Sequence, residues 1–241
     1  MAQPRCRGRV VENRALAHDV RQISIKPIEP PELHFSAGQY ISIEVTEIKD
    51  GVSRRNNRPY SIASPPEEKE VIQLCVNLIV GGPGSTYLYH LRSGEDIDFL
   101  YPLGFFTLNE AGQSDLLFVA TGTGIAPLRS MIHHLFNEGS RQKMTLYWGL
   151  RSERDLYYQE EFRALAENHS NFRFVQTLSQ PTNGWNGPRG RVTHLLRGGT
   201  EPAVENLEAY LCGNGEMIKE VRQILVDKGM NRKRIHQEKF Y

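Results

Sequence analysis

Cysteine is scarce in this 241-residue sequence: Cys6, Cys75 and Cys212 stand far apart and odd in number. That excludes a disulfide framework and the Cys-x-x-Cys pairs of a structural zinc site. The Cys-x4-Cys-x2-Cys run of a plant-type [2Fe–2S] cluster is missing too. No apolar run approaches the roughly 20 residues that cross a bilayer. The opening MAQPRCRGRV is charged and lacks the apolar stretch of a signal peptide. Net charge is only +1, which gives no electrostatic footprint of nucleic-acid binding. His133 and His134 are adjacent and point to different faces of a helix, so no metal pair is expected. No nucleophile, base and orienting acid stand out as a triad. The expectations from these absences are a cytoplasmic protein without a membrane span or metal, monomeric or a weak dimer.

What is present is ordinary globular composition, with 39 % hydrophobic and 24 % charged residues. The first half reads as short β-rich runs between Pro and Gly punctuation: RGRVVENRAL, DVRQISIKP, QYISIEVTEI, RPYSIAS and VIQLCVNLIV. One short helix is expected near STYLYHLR. Such spacing predicts a small antiparallel barrel, of Greek-key type, or a sandwich. The second half changes character after NEAGQSD. DLLFVATG is a nearly continuous apolar run, as for a strand buried on both faces. Helix patterns follow in IAPLRSMIHHLFNEG, in ERDLYYQEEFRALAENH and in EMIKEVRQILVDKG, alternating with strands MTLYWGL, FRFVQTL and AYLCG. Alternation of this kind predicts βαβ units on a parallel sheet. The domains are therefore expected at 1–110, an antiparallel β-barrel, and 111–241, an α/β domain.

The turn TGTGIAP follows a buried strand and opens a helix. Gly122 and Gly124 allow the backbone to approach a ligand. A helix start offers free N–H groups and partial positive charge, which suits a pyrophosphate. Pro127 fits the first helical turn, where its missing N–H costs nothing. This is not the usual dinucleotide fingerprint, because Pro127 replaces the third glycine and the acidic residue at the end of the second strand is missing. Phosphate binding and a plain strand–helix turn both remain open on these residues alone.

RPYS, GPGS, GTGIAP and CGNGEM stand in this order along the chain. The ordered set, covering essentially the whole sequence, resembles the ferredoxin–NADP reductase-like flavoproteins, bacterial ferredoxin/flavodoxin–NAD(P)H reductases among them. The resemblance implies an FAD-binding barrel followed by an NAD(P)-binding α/β domain. It implies that Arg58 pairs with the flavin pyrophosphate, that Tyr60 lies flat on the isoalloxazine beside Pro59, and that Ser61 bonds near flavin N5. One strand would then alternate between phosphate clamp and ring platform. Ser85 and Thr86 would form the second phosphate site, with Gly82 and Gly84 clearing space. Gly122, Thr123, Gly124 and Pro127 would cradle the nicotinamide dinucleotide. Cys212 would sit at the nicotinamide ring, with Gly213 and Gly215 keeping the turn open and Met217 packing under it. At the C-terminus, Glu238 and the aromatics Phe240 and Tyr241 would face the flavin. Ser61, Cys212 and Glu238 are thus the expected residues of the reacting centre.

NADPH and NADH both stay open. Arg151 and Arg191 match positions that clamp a 2′-phosphate in NADPH-dependent relatives, but Gln180 stands after Ser179 where an arginine is usual there. LSQP and the following Trp and Gly resemble NADH-dependent oxygenase reductases. No attached cluster, haem or flavodoxin module is present in the sequence, so a separate ferredoxin or flavodoxin is the expected partner. The Arg54, Arg55 and Arg58 run could dock an acidic protein. The alternatives are an NADH-dependent oxygenase reductase or free-flavin reductase, and an FAD-holding electron-transfer subunit of a larger complex.

Overall fold

A computed structural model describes residues 5–49, 52–109, 113–198 and 204–240. The chain divides into two compact units, Met1–Leu108 with Arg129–Glu138, and Asn109–Leu128 with Gly139–Tyr241. The boundary expected between residues 110 and 111 lies outside the described residues.

Strands β1 (Arg5–Ala15), β2 (Val20–Glu29), β3 (Tyr40–Lys49), β4 (Val52–Ser61), β5 (Ile72–Asn77) and β6 (Asp96–Leu103) build the first unit, with one helix, α1 (Pro83–His90). All pairings are antiparallel, and the order is β4-β3-β6-β1-β2-β5. Insertion of β6 between β3 and β1 gives the Greek-key connection. The two edge strands meet at an Ile62–Leu74 bridge, where the Ala63 N–H donates to the Gln73 carbonyl at 2.7 Å. That bridge curls the sheet into a barrel. Period-two patterning decides which side chains go inside. On β1, Cys6, Gly8 and Val10 are buried while Arg7 and Arg9 face out, paired with Asp98 and Asp96 of β6. Those exposed pairs contribute little. The buried cluster of Val10, Ile23, Ile25, Ile41, Ile43, Leu74 and Phe99 does the stabilising, at about 1.5–3 kcal/mol per large side chain. Asn13 fixes α1 from the barrel side: its Nδ2 donates to the Leu91 carbonyl at 2.6 Å and to those of Leu88 and Tyr89 at 3.3 Å. These are carbonyls that a helix end leaves without partners.

The second unit alternates strand and helix: β7 (Asp115–Thr121), α2 (Ile125–Asn137), β8 (Met144–Leu150), α3 (Gln159–Asn168), β9 (Phe172–Leu178), α4 (Val192–Gly198), β10 (Leu207–Asn214), α5 (Gly215–Asp227) and β11 (Ile235–Phe240). From Arg129 onward α2 groups with the first unit. The five strands are all parallel, in the order β11-β10-β7-β8-β9. The chain moves outward from β7 to β9, then returns to the other side of β7 at β10. The switch point therefore lies between β7 and β10, where open α/β sheets bind ligands. Residues buried on both faces, such as Leu117, Phe118, Val119, Tyr210 and Leu211, explain the unbroken apolar runs. Tyr210 stacks on Phe118 at 5.7 Å and on His236 at 4.6 Å. Its hydroxyl donates to Glu208 and accepts from the Asn109 N–H at 3.0 Å, which ties the start of this unit to its sheet. No helix among the described residues is long and apolar enough to cross a membrane.

Three local expectations change. The helix expected over 153–169 begins only at Gln159. Ser152 and Asp155 close a tight turn first, with the Asp155 carboxylate accepting from the Ser152 N–H and hydroxyl at 2.7 Å. Tyr157 then leaves the helical path to pack edge-on against Trp148 at 4.9 Å, and Tyr158 adopts φ 53°. Aromatic burial outweighs the helical propensity of that stretch. Strand β6 and helix α4 were not expected. The alternation of Ile97, Phe99 and Tyr101 in β6 is hidden by Pro102, and α4 is short. Finally, β4 begins at Val52, earlier than RPYS, because the polar run before it pairs along β3 from Lys49 to Tyr40.

Candidate active site

On the first unit, the strand carrying Arg58, Pro59, Tyr60 and Ser61 runs past the start of α1. A methyl group at Gly84 would lie 2.5 Å from the Tyr60 hydroxyl and 2.9 Å from Arg58 Cγ. Only glycine lets the helix start come this close. Arg58 and Tyr60 are two residues apart, share a face of the strand, and both reach α1. The expected alternation of clamp and platform is thereby corrected to one shared face, because successive strand positions, not alternate ones, change sides. Burial pushes the Tyr60 phenol up to about 12, against the opposing pull of the Arg58 charge, so it stays neutral. Arg58 is held by the Glu47 carboxylate across the hairpin, and Glu47 also accepts from Asn56 Nδ2 at 2.9 Å.

Helix α1 starts with Pro83, and no side chain caps it at Gly82. Ser85 is buried: its hydroxyl donates to the Gly82 carbonyl at 3.1 Å and accepts from the Ile79 N–H at 3.1 Å. Ser85 thus shapes the loop, while Thr86 is exposed in the first turn. Ser61 is buried at the end of β4, opposite Tyr40. A guanidinium, a neutral half-buried phenol and an uncapped glycine-rich helix start fit a pyrophosphate joined to a flat ring.

Sequence reading missed Arg129. It is 8 % exposed, and its Nη1 donates to the Ala63 carbonyl at 2.9 Å and to Gln73 Oε1 at 3.0 Å. The Ser130 hydroxyl donates to the Ser64 carbonyl at 2.7 Å, and Glu67 is held by His134 and Asn137. Together they fasten the segment after Ser61. The available signal was an arginine inside the apolar pattern IAPLRSMIHHLF. Glu67, His134 and Glu138 bring ligand-type atoms within 4.8 Å of one another, but Glu67 is committed to these hydrogen bonds.

On the second unit, the turns after β7 and β10 meet at the switch point. Gly122–Gly124 forms a short 3-10 turn into α2, and no side chain caps it. The N-terminus of α5 is capped differently: Asn214 Oδ1 accepts from the Glu216 N–H at 2.8 Å and the Met217 N–H at 3.4 Å. The 3-10 turn leading into α2 has no such side-chain cap. Pro127 lies in its first turn, and Thr123 is half-buried beside it. The two turns are packed backbone on backbone. A methyl at Gly124 would stand 2.4 Å from the Cys212 carbonyl oxygen, and one at Gly213 (φ 135°) 2.3 Å from Thr121 Oγ1. Gly122 (φ 54°) instead faces open space. Gly122 is therefore open to an approaching group, while Gly124 and Gly213 serve each other. Trp148, also missed in the sequence, fixes this turn by donating from Nε1 to the Gly122 carbonyl at 3.0 Å. Thr121 Oγ1 accepts from the Asn214 N–H at 3.0 Å.

Cys212 is fully buried, in register with Ala120 on one side and Glu238 on the other. Burial first, and then the Glu238 charge, pushes its thiol well above the ordinary value. Met217 is buried under the turn with Val221 and Leu225. Gly215 begins α5, and Phe240 ends β11 opposite Asn214. Tyr241 lies outside the described residues.

At the far end of the sheet, Arg151 Nε donates to Gln180 Oε1 at 2.9 Å, and the Gln180 N–H donates to the Arg151 carbonyl at 2.7 Å. The Ser179 N–H donates to the Leu150 carbonyl at 3.0 Å. The loop that follows is pinned at several points. Glu153 accepts from Thr182 Oγ1 at 2.6 Å, Arg189 Nη2 donates to the Thr182 and Trp185 carbonyls, and Thr177 Oγ1 donates to the Gly190 carbonyl at 2.8 Å. Arg191 follows Gly190 and is exposed.

Two outcomes follow from this geometry. Gly124→Ala should lose about 3 kcal/mol of stability through overpacking, and Gly122→Ala about 1 kcal/mol through left-handed strain alone. Denaturant unfolding of both variants decides it; equal losses would refute the separate roles. The Cys212 thiol keeps its proton in the folded state above pH 9, where the unfolded chain would ionise it. Its contribution to stability is therefore complete below about pH 9 and fades as pH rises further. Iodoacetamide at pH 8 should leave Cys212 unmodified in the folded protein and label it in urea, as read by peptide mass spectrometry. Rapid labelling of the folded protein would contradict the buried, neutral thiol.

Comparison with known proteins agrees with both halves of this geometry. Residues 7–108 match an oxidoreductase FAD-binding domain and residues 118–223 an oxidoreductase NAD-binding domain. Ferredoxin–NADP reductase B of Sorangium cellulosum is 33 % identical over 242 residues, covering 97 % of this chain and 96 % of that protein. The reductase component of phenol 2-monooxygenase from a Pseudomonas species is 31 % identical over 94 % of this chain, which spans 63 % of that longer protein. The crystal structure of a ferredoxin NADP+ reductase from Neisseria gonorrhoeae with bound FAD and NADP superposes with a TM-score of 0.84 at 25 % identity, covering all of both chains. The two domain matches and the relative that is 33 % identical over nearly all of both chains place the chain in the ferredoxin–NADP reductase-like family of FAD- and NAD(P)-binding oxidoreductases.

Proposed function

We propose that this protein is a ferredoxin/flavodoxin–NAD(P)+ reductase, moving a hydride between NAD(P)H and FAD and single electrons between FAD and a separate ferredoxin or flavodoxin. The observation that carries this reading is the uncapped α2 start beside the buried Cys212, at the switch point of a sheet whose partner unit presents Arg58 and Tyr60 at α1. The relative matched over almost its entire length is a ferredoxin–NADP reductase, which supports the choice of acceptor. Exposed Arg54 and Arg55 on β4 add positive charge that suits an acidic partner. Three buried cysteines suit a reducing compartment, and the cytoplasm is our assignment.

Bound FAD supplies the redox chemistry, taking up a hydride and releasing electrons in pairs or singly. The residues orient and tune. Arg58 would exchange Glu47 for a phosphate, with Thr86 and the α1 N–H groups taking the rest of the pyrophosphate. Tyr60 offers a neutral ring face, and Ser61 a hydroxyl for the flavin ring edge. Cys212 contributes a small, uncharged thiol at the nicotinamide position, where a thiolate would repel electron density. Glu238 holds negative charge one strand away. None of the three acts as a nucleophile. The assignment of modules is 1–110 for FAD and 111–241 for NAD(P).

A second reading is favoured by one contact. Gln180 occupies the Nε edge of Arg151, the guanidinium best placed for a 2′-phosphate, and the chain matches an oxygenase reductase component at 31 % identity. That combination fits an NADH-dependent reductase feeding an oxygenase. Gln180→Arg should move the ratio of kcat/KM for NADPH over NADH upward by about tenfold, the effect of one added charge-assisted hydrogen bond. An unchanged ratio would remove this contact from the specificity determinants.

Anaerobic titration of the purified yellow protein with NADPH and, separately, NADH tests the main reading. Rapid bleaching of the flavin band is expected, followed by electron delivery to an added ferredoxin or flavodoxin. Bound flavin that neither nucleotide reduces would point to an electron-transfer subunit, and a colourless protein would overturn the assignment of Arg58, Tyr60 and Gly84.

A further inference from the structure

On the outer side of the parallel sheet, α5 and the edge strand β11 enclose a recess of about 300 Å³. Four cations line it: Lys219 and Arg222 from α5, Arg232 from the turn before β11, and Lys239 from β11. Among the described residues, no acidic residue lines it. Among the described residues, the side chains of these four make no ion pair or hydrogen bond. Elsewhere on the same helices the charges are used: Arg197 meets Glu220 at 3.7 Å, and Lys228 Nζ donates to the Leu196 carbonyl at 2.8 Å. In a chain of net charge +1, four unpartnered cations converging on one concavity are a local concentration of charge, not a general property of the surface.

We propose that this recess binds a small polyanion of the oligophosphate class, distinct from the nicotinamide dinucleotide at the switch point. The composition of the lining sets the ligand class. Two guanidinium groups can each grip phosphate oxygens in pairs, and two ammonium groups add point charge. The exposed Gln237 amide supplies a further donor. A protein partner would need an apolar centre and on the order of 1,000 Å² of contact. The recess offers only the buried Ile218 and the half-buried Val226 as apolar lining. Its volume is that of a small-molecule site. One end reaches Gly215, over which the Lys239 side chain folds; a methyl there would lie 2.7 Å from Lys239 Cε. Lys239 thereby closes the end of the recess nearest the switch point.

The test uses the FAD-loaded protein with both NAD+ and NADP+ at saturation, so that the dinucleotide site is filled. Inorganic tripolyphosphate is the probe, and isothermal titration calorimetry the readout. One saturable site is expected, weakening as salt rises. In the exposed double variant Lys219→Gln/Arg222→Gln, affinity should fall at least about tenfold, from the loss of two charge-assisted contacts, with the thermal midpoint and flavin content unchanged. Four results would overturn the proposal: no saturable binding, equal binding by the double variant, binding that appears only without nucleotide, or displacement of tripolyphosphate by an acidic ferredoxin, which would make the recess a protein-docking surface.

Discussion

One close approach of backbone to backbone governs the carboxyl rim of the parallel sheet. The turn after β7 and the turn after β10 share the space that a single methyl group at Gly124 or Gly213 would occupy. Because those turns are in contact, Cys212 is sealed between Ala120 and Glu238, and its thiol is desolvated and neutral. The same packing directs the α2 N-terminus outward without a side-chain cap, while Asn214 closes the start of α5. Trp148, buried on β8, adds the hydrogen bond that keeps the first turn from collapsing inward.

The barrel reaches a comparable result by different means. There the close approach is between a helix start and two side chains of a strand, with Gly84 as the point of contact. Arg58 is ordered by Glu47 across the hairpin. Arg129 works behind the strand. A buried guanidinium is costly unless its donors are satisfied, and here it is held by the Ala63 carbonyl and Gln73. The segment following Ser61 is thereby fixed without any contribution from the ligand-facing side.

The loop after β9 has almost no regular structure. Glu153, Arg189 and Thr177 give the stretch after β9 its shape through side-chain to backbone bonds. Glu153 is held below the usual carboxylate range chiefly by the Thr182 hydroxyl, so the loop keeps its anchor at neutral pH. Gln180 then meets Arg151 at a defined place. Charge presented from such a scaffold is positioned as well as it would be on a helix.

The amino-acid sequence by itself determined the class of each half. Period-two runs suit half-buried strands, and LLFVA, short and flanked by turn residues, suits a strand covered on both faces. The order of RPYS, GPGS, GTGIAP and CGNGEM carried the resemblance to a family of FAD- and NAD(P)-binding oxidoreductases. Tertiary structure decided what local pattern could not. It showed that Gly124 and Gly213 are reserved for each other and Gly122 for open space, since the partner of a glycine is a distant backbone that no local window contains. It moved the start of α3 to Gln159, because the burial of Tyr157 against Trp148 is a contact between separate elements. It recruited Arg129, Trp148 and Glu47, whose roles exist only through residues far along the chain. The terminal pairing of Glu238 with Cys212 has the same origin: two ends of parallel strands become neighbours only when the sheet closes around them.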